Sequence, residues 1–114
     1  MPTFSTHVLD IATGEPARGM RIDLHGLLGG DRRHIVTITT NQDGRSGEPR
    51  LSIEPGVYEL TFHAADYFRA QSRELPSTPF LDQIVVRFGV EAADRHYHVP
   101  LLLGPYGYST YRGS

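Results

Sequence analysis

Apolar and polar positions alternate with a period of two along most of this chain, the spacing of half-buried strands. The clearest stretch sets Met20, Ile22 and Leu24 against Arg21, Asp23 and His25. A second sets Tyr58, Leu60 and Phe62 against Glu59, Thr61 and His63, and a third lines up Ile84, Val86 and Phe88 within 81–88. From Phe4 to Ile11 the residues are apolar or β-branched, with His7, Leu9 and Ile11 on one face and Thr6 and Val8 on the other. The run 34–40 is β-branched enough for a further strand, and 51–53 for a short one. Turns are expected where Gly and Pro gather, at 13–19, 26–31, 41–49, Pro55-Gly56 and 89–94. Alternation fails between Ala64 and Leu75, where Asp66 can cap one short helix over 65–71. Arg95 to Ser114 reads as strand, Gly-Pro hairpin, strand. Seven or eight short strands and one helix predict an all-β sandwich of two sheets with Greek-key or related connections.

The 114 residues fit one domain spanning 1–114. With no cysteine, a disulfide framework, a thiolate metal site and a cysteine nucleophile are excluded. All eleven basic residues are Arg, which excludes a lysine base or Schiff base. A net charge of −2, with no basic run beyond Arg32-Arg33, gives no footprint for nucleic acid. No apolar run has the length of a membrane span or of a secretory signal, so a soluble, cytoplasmic protein without a membrane partner is expected.

Chemistry concentrates near the end of the chain. His96 and His98 are two apart on an expected strand, so both imidazoles point to one side, roughly 6.5 Å apart. Such a pair serves equally as polar packing, as part of a metal site completed by His7, or as catalytic apparatus. His25, His34 and His63 are expected on solvated surface, and Arg45 after Asp43-Gly44 is by default a turn charge. The tail remains rich in Tyr and turn residues where a chain end is usually frayed and polar, and Leu101, Leu103, Tyr106 and Tyr108 are expected to face outward as an interface.

Several segments together carry a resemblance. Ser5-Thr6-His7-Val8-Leu9-Asp10, Asp43-Gly44-Arg45, Gly56-Val57-Tyr58-Glu59-Leu60, Tyr67-Phe68, Arg87-Phe88, His96-Tyr97-His98-Val99-Pro100-Leu101-Leu102-Leu103 and the closing Tyr111-Arg112-Gly113-Ser114 resemble the 5-hydroxyisourate hydrolases, the transthyretin-like enzymes of purine breakdown. The Tyr-Arg-Gly-Ser ending is the most specific piece, because it separates those enzymes from the thyroid-hormone carriers of the same fold. Gly104-Pro105 departs from the expected Ser-Pro or Ser-Gln turn, and the segment 26–33 lacks an expected aromatic residue.

The resemblance implies a transthyretin-like sandwich of two four-stranded sheets with one short helix. It also implies a homotetramer, a dimer of dimers with sites at the dimer–dimer interface, and cofactor-free, metal-free hydrolysis of 5-hydroxyisourate to 2-oxo-4-hydroxy-4-carboxy-5-ureidoimidazoline. The functional positions it carries over are His7, Arg45 and His98 as catalytic residues, with Tyr111 and Ser114 binding substrate beside His7 and Arg45; His96 and Arg112 are secondary. Opening a cyclic amide requires a base for water, a cation for the developing oxyanion and a proton for the departing nitrogen. His98 is assigned to water, His7 to positioning or shuttling the proton, and Arg45 to the oxygens of the ring. Two other classes fit a β-sandwich: a transthyretin-type carrier of a small aromatic ligand, and a structural module whose histidines are chemically silent.

Overall fold

The computed structural model describes residues 1–48 and 50–113. Strand β1 (Thr3–Asp10) turns Phe4, Thr6, Val8 and Asp10 inward and Thr3, Ser5, His7 and Leu9 outward. β2 (Glu15–Pro16) is a two-residue strand within the expected turn at 13–19, pairing Pro16 with Leu9 and Glu15 with Asp10. β3 (Arg21–Leu28) and β4 (Asp31–Thr39) form a hairpin. Its turn is shorter than the expected 26–31, because Gly29 and Gly30 take φ of 57° and 90° and reverse the chain by themselves. β5 (Leu51–Ser52) pairs with the start of β1, and β6 (Gly56–Phe62) pairs with β3.

Helix α1 (Ala64–Ala70) buries Ala64, Ala65, Tyr67 and Phe68. Its N-cap is His63, without a side-chain cap bond; Asp66 lies three positions past the cap and carries its negative charge in the first turn, near the positive helix end. β7 (Ile84–Val90) starts three residues later than the 81–88 pattern suggests and continues through Gly89. β8 (His96–Leu103) and β9 (Tyr108–Thr110) make the terminal hairpin.

One sheet runs β4-β3-β6-β7, antiparallel throughout. The other runs β2-β1-β8-β9, with β5 on the same edge of β1 as β2 but at its opposite end. Between them that edge is filled by a bridge from His7 to Arg45, so three short pieces share the fourth strand position. The sheets enclose one apolar cluster in which Phe4, Val8, Ile22, Leu24, Leu60, Phe62, Leu101 and Leu103 are almost fully buried.

β1 and β8, from the two ends of the chain, lie side by side and parallel, pairing Thr3 with His96, Ser5 with His98 and His7 with Pro100. Leu101 and Leu103 are therefore core residues, not interface. Strand parity forces this: with His96 and His98 outward, the outward series continues through Pro100 and Leu102. Tyr106 and Tyr108 are exposed on the single chain.

Helix α1 is held to the sheet containing β1 and β8 by Asp10, which is fully buried and takes hydrogen bonds from Tyr67 Oη at 3.0 Å and from Arg73 Nη2. Burial pushes this carboxyl up, but the bonds from Arg73 and Tyr67 outweigh it and hold its pKa below the ordinary value.

Candidate active site

The outward face of β1 and β8 is polar where it meets the turn at 41–46. Asn41 folds this turn, its side-chain Oδ1 accepting the backbone N–H groups of Asp43 at 2.9 Å and Arg45 at 3.1 Å. Gly44 follows with φ of 73°, and its carbonyl accepts the Val8 N–H at 2.8 Å. A Cβ at Gly44 would stand 2.5 Å from the Val8 carbonyl oxygen, so only glycine brings the turn against β1. Arg45 is thereby fixed opposite His7 as a β-bridge partner rather than left as a loose turn charge.

His98 lies diagonally across the parallel pair from His7, with ring centroids 6.4 Å apart, and His96 is 6.3 Å from His98 on the same strand. A cleft of about 350 Å³ opens here, lined among others by Ser5, Asn41, Arg45, Arg50, His96 and His98. A hollow of about 400 Å³ lies elsewhere, between β4 and the segment 52–58, where Arg33, His34, Glu54 and Tyr58 are its charged or titratable residues. It has more room but no converging set of groups for acid–base work, and site chemistry follows the groups rather than the volume.

The tail returns to this cleft at one point. The Gly113 N–H donates to the His98 carbonyl at 2.7 Å, and a Cβ at Gly113 would meet the His98 ring 2.7 Å away at Cδ2. Glycine is required because the backbone lies directly against the imidazole. Tyr111 and Arg112 do not line the cleft within one chain. They border a hollow of about 210 Å³ at the edge of the sandwich, with Val86, Phe88, Tyr97 and Val99, and the Arg112 guanidinium sits 5.2 Å over the Tyr97 ring. Ser114 lies outside the described residues.

Both outward histidines have pKa values lowered from 6.5. For His7 the main cause is burial, followed by the Arg45 charge, against which Asp43 acts in the raising direction. For His98 the cause is again burial first, then Arg45, His7, His96 and Arg50. At neutral pH both rings are consequently neutral and able to take a proton, while arginine stays charged. His96 is lowered by burial and by Arg50, with Glu48 opposing. Among the described residues no group of three or more His, Cys, Asp or Glu side chains is arranged to hold a metal ion.

Ser5 and Thr3 are the residues that the alternation pattern left anonymous. Ser5 Oγ lies 2.7 Å from His96 Nε2 and 2.8 Å from His98 Nδ1, and Thr3 Oγ1 lies 2.7 Å from His96 Nδ1. They share the outward parity of His7, a clue already in the sequence, but only the parallel pairing of β1 with β8 sets them against the two histidines. Of the histidines expected on the surface, His34 is exposed, His25 is half-buried and His63 is buried. His63 Nε2 is 2.9 Å from the buried carboxylate of Asp23, which also accepts from Thr37 Oγ1 at 2.6 Å. The reason is positional: His63 closes β6 and opens α1, where the chain folds back over the sheet.

Fold and site together define a small two-sheet sandwich with a histidine and arginine cleft on one outer face. The chain belongs to the HIUase/Transthyretin family, whose model matches residues 4–113. A Pseudomonas aeruginosa protein named 5-hydroxyisourate hydrolase is 53% identical over 117 residues, covering 100% of this chain and 93% of its own. The crystal structure of (S)-allantoin synthase superposes with a TM-score of 0.90 and 40% identity, covering 99% of this chain but only 44% of that one, so this chain spans less than half of that protein. Sea bream transthyretin, crystallised with thyroxine, superposes with a TM-score of 0.85 at 27% identity, covering 96% of this chain and 93% of its own. A shared backbone thus extends to an enzyme and to a thyroxine-bound protein, and the side chains have to decide between them.

Proposed function

We propose that this chain is a 5-hydroxyisourate hydrolase: it opens the cyclic amide of 5-hydroxyisourate with water to give 2-oxo-4-hydroxy-4-carboxy-5-ureidoimidazoline. The observation that carries this reading is the meeting of His7, Arg45 and His98 from three separate segments on one outward face, where Arg45 and His98 line the cleft and His7 stands beside them, bridged to Arg45 with its ring 6.4 Å from that of His98. His98, neutral at pH 7, takes a proton from the attacking water. Arg45 stabilises the carbonyl oxygen as negative charge develops there, and His7 holds the water or returns a proton to the departing nitrogen. No step calls on a cofactor or a metal.

The whole chain, 1–114, acts as one domain on this account, in the cytoplasm. Four copies assemble as a dimer of dimers, closing over an otherwise open cleft on a sheet face. Exposed Tyr106, Tyr108 and Tyr111 favour association, and in the assembly Tyr111 and Ser114 reach substrate while Arg112 supports the tail.

The 27%-identical, thyroxine-bound neighbour favours a second reading, a carrier of an aromatic ligand. A lining of imidazole and guanidinium is a poor match for a mainly apolar ligand. The test is to incubate freshly made 5-hydroxyisourate with the protein and follow the ring-opened product by NMR, beside a thyroxine titration. The hydrolase reading predicts product formation well above the buffer rate and no saturable thyroxine binding at micromolar concentration; the opposite pattern assigns the chain to the carriers.

A further inference from the structure

Four side chains on the outward face of β1 and β8 form an unbroken line: Thr3, His96, Ser5 and His98. Its contacts are 2.7 Å from Thr3 Oγ1 to His96 Nδ1, 2.7 Å from His96 Nε2 to Ser5 Oγ, and 2.8 Å from Ser5 Oγ to His98 Nδ1. A hydroxyl carries one proton, and a neutral imidazole carries one N–H. Ser5 therefore donates to only one of the two rings and accepts from the other. Once that choice is made every other bond follows, because each ring has one nitrogen left to give the opposite role. The line has two self-consistent states, one with all donors directed towards Thr3 and one with all directed towards His98.

We infer that Ser5 and His96 are positioning residues that couple His98 to Thr3 as a reversible proton relay for the hydrolysis; the inference rests on the proposed reading of the site. With donors directed towards Thr3, His98 Nδ1–H is held by Ser5, and Nε2 carries the free lone pair in the cleft, as a base requires. When Nε2 takes a proton from water, the His98 Nδ1 proton passes to Ser5 Oγ and the Ser5 proton to His96 Nε2. The His96 Nδ1 proton then passes to Thr3 Oγ1, and the original Thr3 hydroxyl proton to bulk water. One proton enters at Nε2 and one leaves at Thr3, with no bond between heavy atoms changed.

After the hydroxyls rotate, the line stands in its second state, with Nε2–H available to protonate the departing nitrogen. The same ring thus acts first as base and then as acid. Water attack on a neutral cyclic amide leaves two protons to place, one for the departing nitrogen and one from the new carboxyl group. As Nε2–H passes to the departing nitrogen the line runs back, Ser5 returning a proton to His98 Nδ1 and Thr3, only partly buried at the far end, taking one from bulk water. The ring thus stays neutral, and the new carboxyl group loses its proton directly to solvent.

The surroundings suit this use. His98 faces the positive charges of Arg45 and Arg50 and the rings of His7 and His96, His96 faces Arg50 and Glu48, and His7 faces Arg45 and Asp43. An imidazolium at His98 is thus opposed from several sides, and passing the charge outward relieves it.

Ser5→Ala, Ser5→Thr and the wild-type protein decide the matter, with kcat, KM, the pH profile and the ¹⁵N signals of the His98 ring measured for each. Ser5→Ala removes the bridge and leaves His98 Nδ1 without its partner. Its expected effect is a fall in kcat of about tenfold or more, towards the lower end of what a proton-transfer group supplies, with KM within about twofold. The acid limb of the profile should move, and the His98 nitrogens should shift towards a single tautomer. Ser5→Thr keeps the hydroxyl and should restore both rate and signals.

Wild-type kcat and unshifted nitrogen signals in Ser5→Ala would overturn the relay. So would a slower Ser5→Ala enzyme whose His98 nitrogens are unmoved, since Ser5 would then act by packing alone. Absence of turnover in the wild-type protein would remove the proposed function, while the nitrogen signals would still show whether Ser5 couples the two rings. Circular dichroism establishes that each variant is folded.

Discussion

Arg45 does two things at once: its backbone bridges to His7, and its charge adds to burial, the larger cause, in lowering the pKa values of His7 and His98. Replacing it with Gln keeps the bridge and removes the charge. Loss of a donor aimed at a developing oxyanion costs on the order of 10²–10³ in kcat, and Arg45→Gln should fall in that range. An NMR titration of the same variant should find His98 titrating closer to 6.5 than in the parent, because one of the charges opposing imidazolium is gone; an unmoved His98 would show that Arg45 does not act on it.

Gly113 answers to a different constraint. The methyl group of Gly113→Ala would fall 2.7 Å from His98 Cδ2, so either the ring or the tail must shift. Misplacement by about an ångström can cost about 10²-fold. Kinetic assay should show a loss of that order, with the melting temperature within a few degrees of the parent.

The strands explain why some of this was legible in the sequence and some was not. Period-two alternation located β1, β3, β6 and β8, and put His96 and His98 on a common face, because side-chain parity is a local property. Parity does not say which face is inward. Leu101 and Leu103 are core because the polar 96, 98 series took the outward side. Neither does it say which strands are neighbours: β1 and β8 are separated by most of the chain, and their parallel pairing alone brings Ser5 between two imidazoles. β2 escaped notice because two residues are too few to show a period. The functional grouping of His7, Arg45 and His98 came from resemblance to whole motifs, since a lone strand histidine and a turn arginine carry no such information by themselves.

At the same scale, Asp10 fastens α1 to β1. Asp10→Ala would leave Tyr67 Oη and Arg73 Nη2 without their buried acceptor, and Arg73 Nη1 already lacks a hydrogen-bond partner among the described residues. Bonds to charged groups of this kind are worth about 2–3 kcal/mol. Urea unfolding should show a loss of that size, while turnover per folded molecule stays near the parent value because the cleft lies at the other end of the strand.

For the molecule as a whole, the lowered histidines tie both activity and stability to pH. His7, His25, His96 and His98 are all held below 6.5 in the folded state. The unfolded chain therefore binds more protons than the folded one as pH drops through about 6.5, and folding stability falls in that direction until the folded pKa values are passed. Thermal melts should move down between pH 7.5 and pH 5.5. Asp23 adds to this only in stronger acid: burial raises its pKa, but Thr37, His63 and Arg21 outweigh that and hold it well below the carboxylate range. Turnover should also fall on the acid side, with its limb displaced below 6.5 because the base remains neutral to lower pH than free imidazole does. A rate that stays flat from pH 8 to pH 5 would be incompatible with a histidine base.

All of this depends on a single claim, that the cleft at His98 hydrolyses 5-hydroxyisourate. The most direct test generates the compound from urate with urate oxidase and follows its ultraviolet decay with the parent protein and with His98→Ala, both checked for a folded, β-rich circular dichroism spectrum. The predicted result is decay well above the buffer rate with the parent and a loss of about 10² or more in the variant. Parent decay no faster than buffer would contradict the assignment of the reaction, and equal decay with both proteins would contradict the assignment of the site.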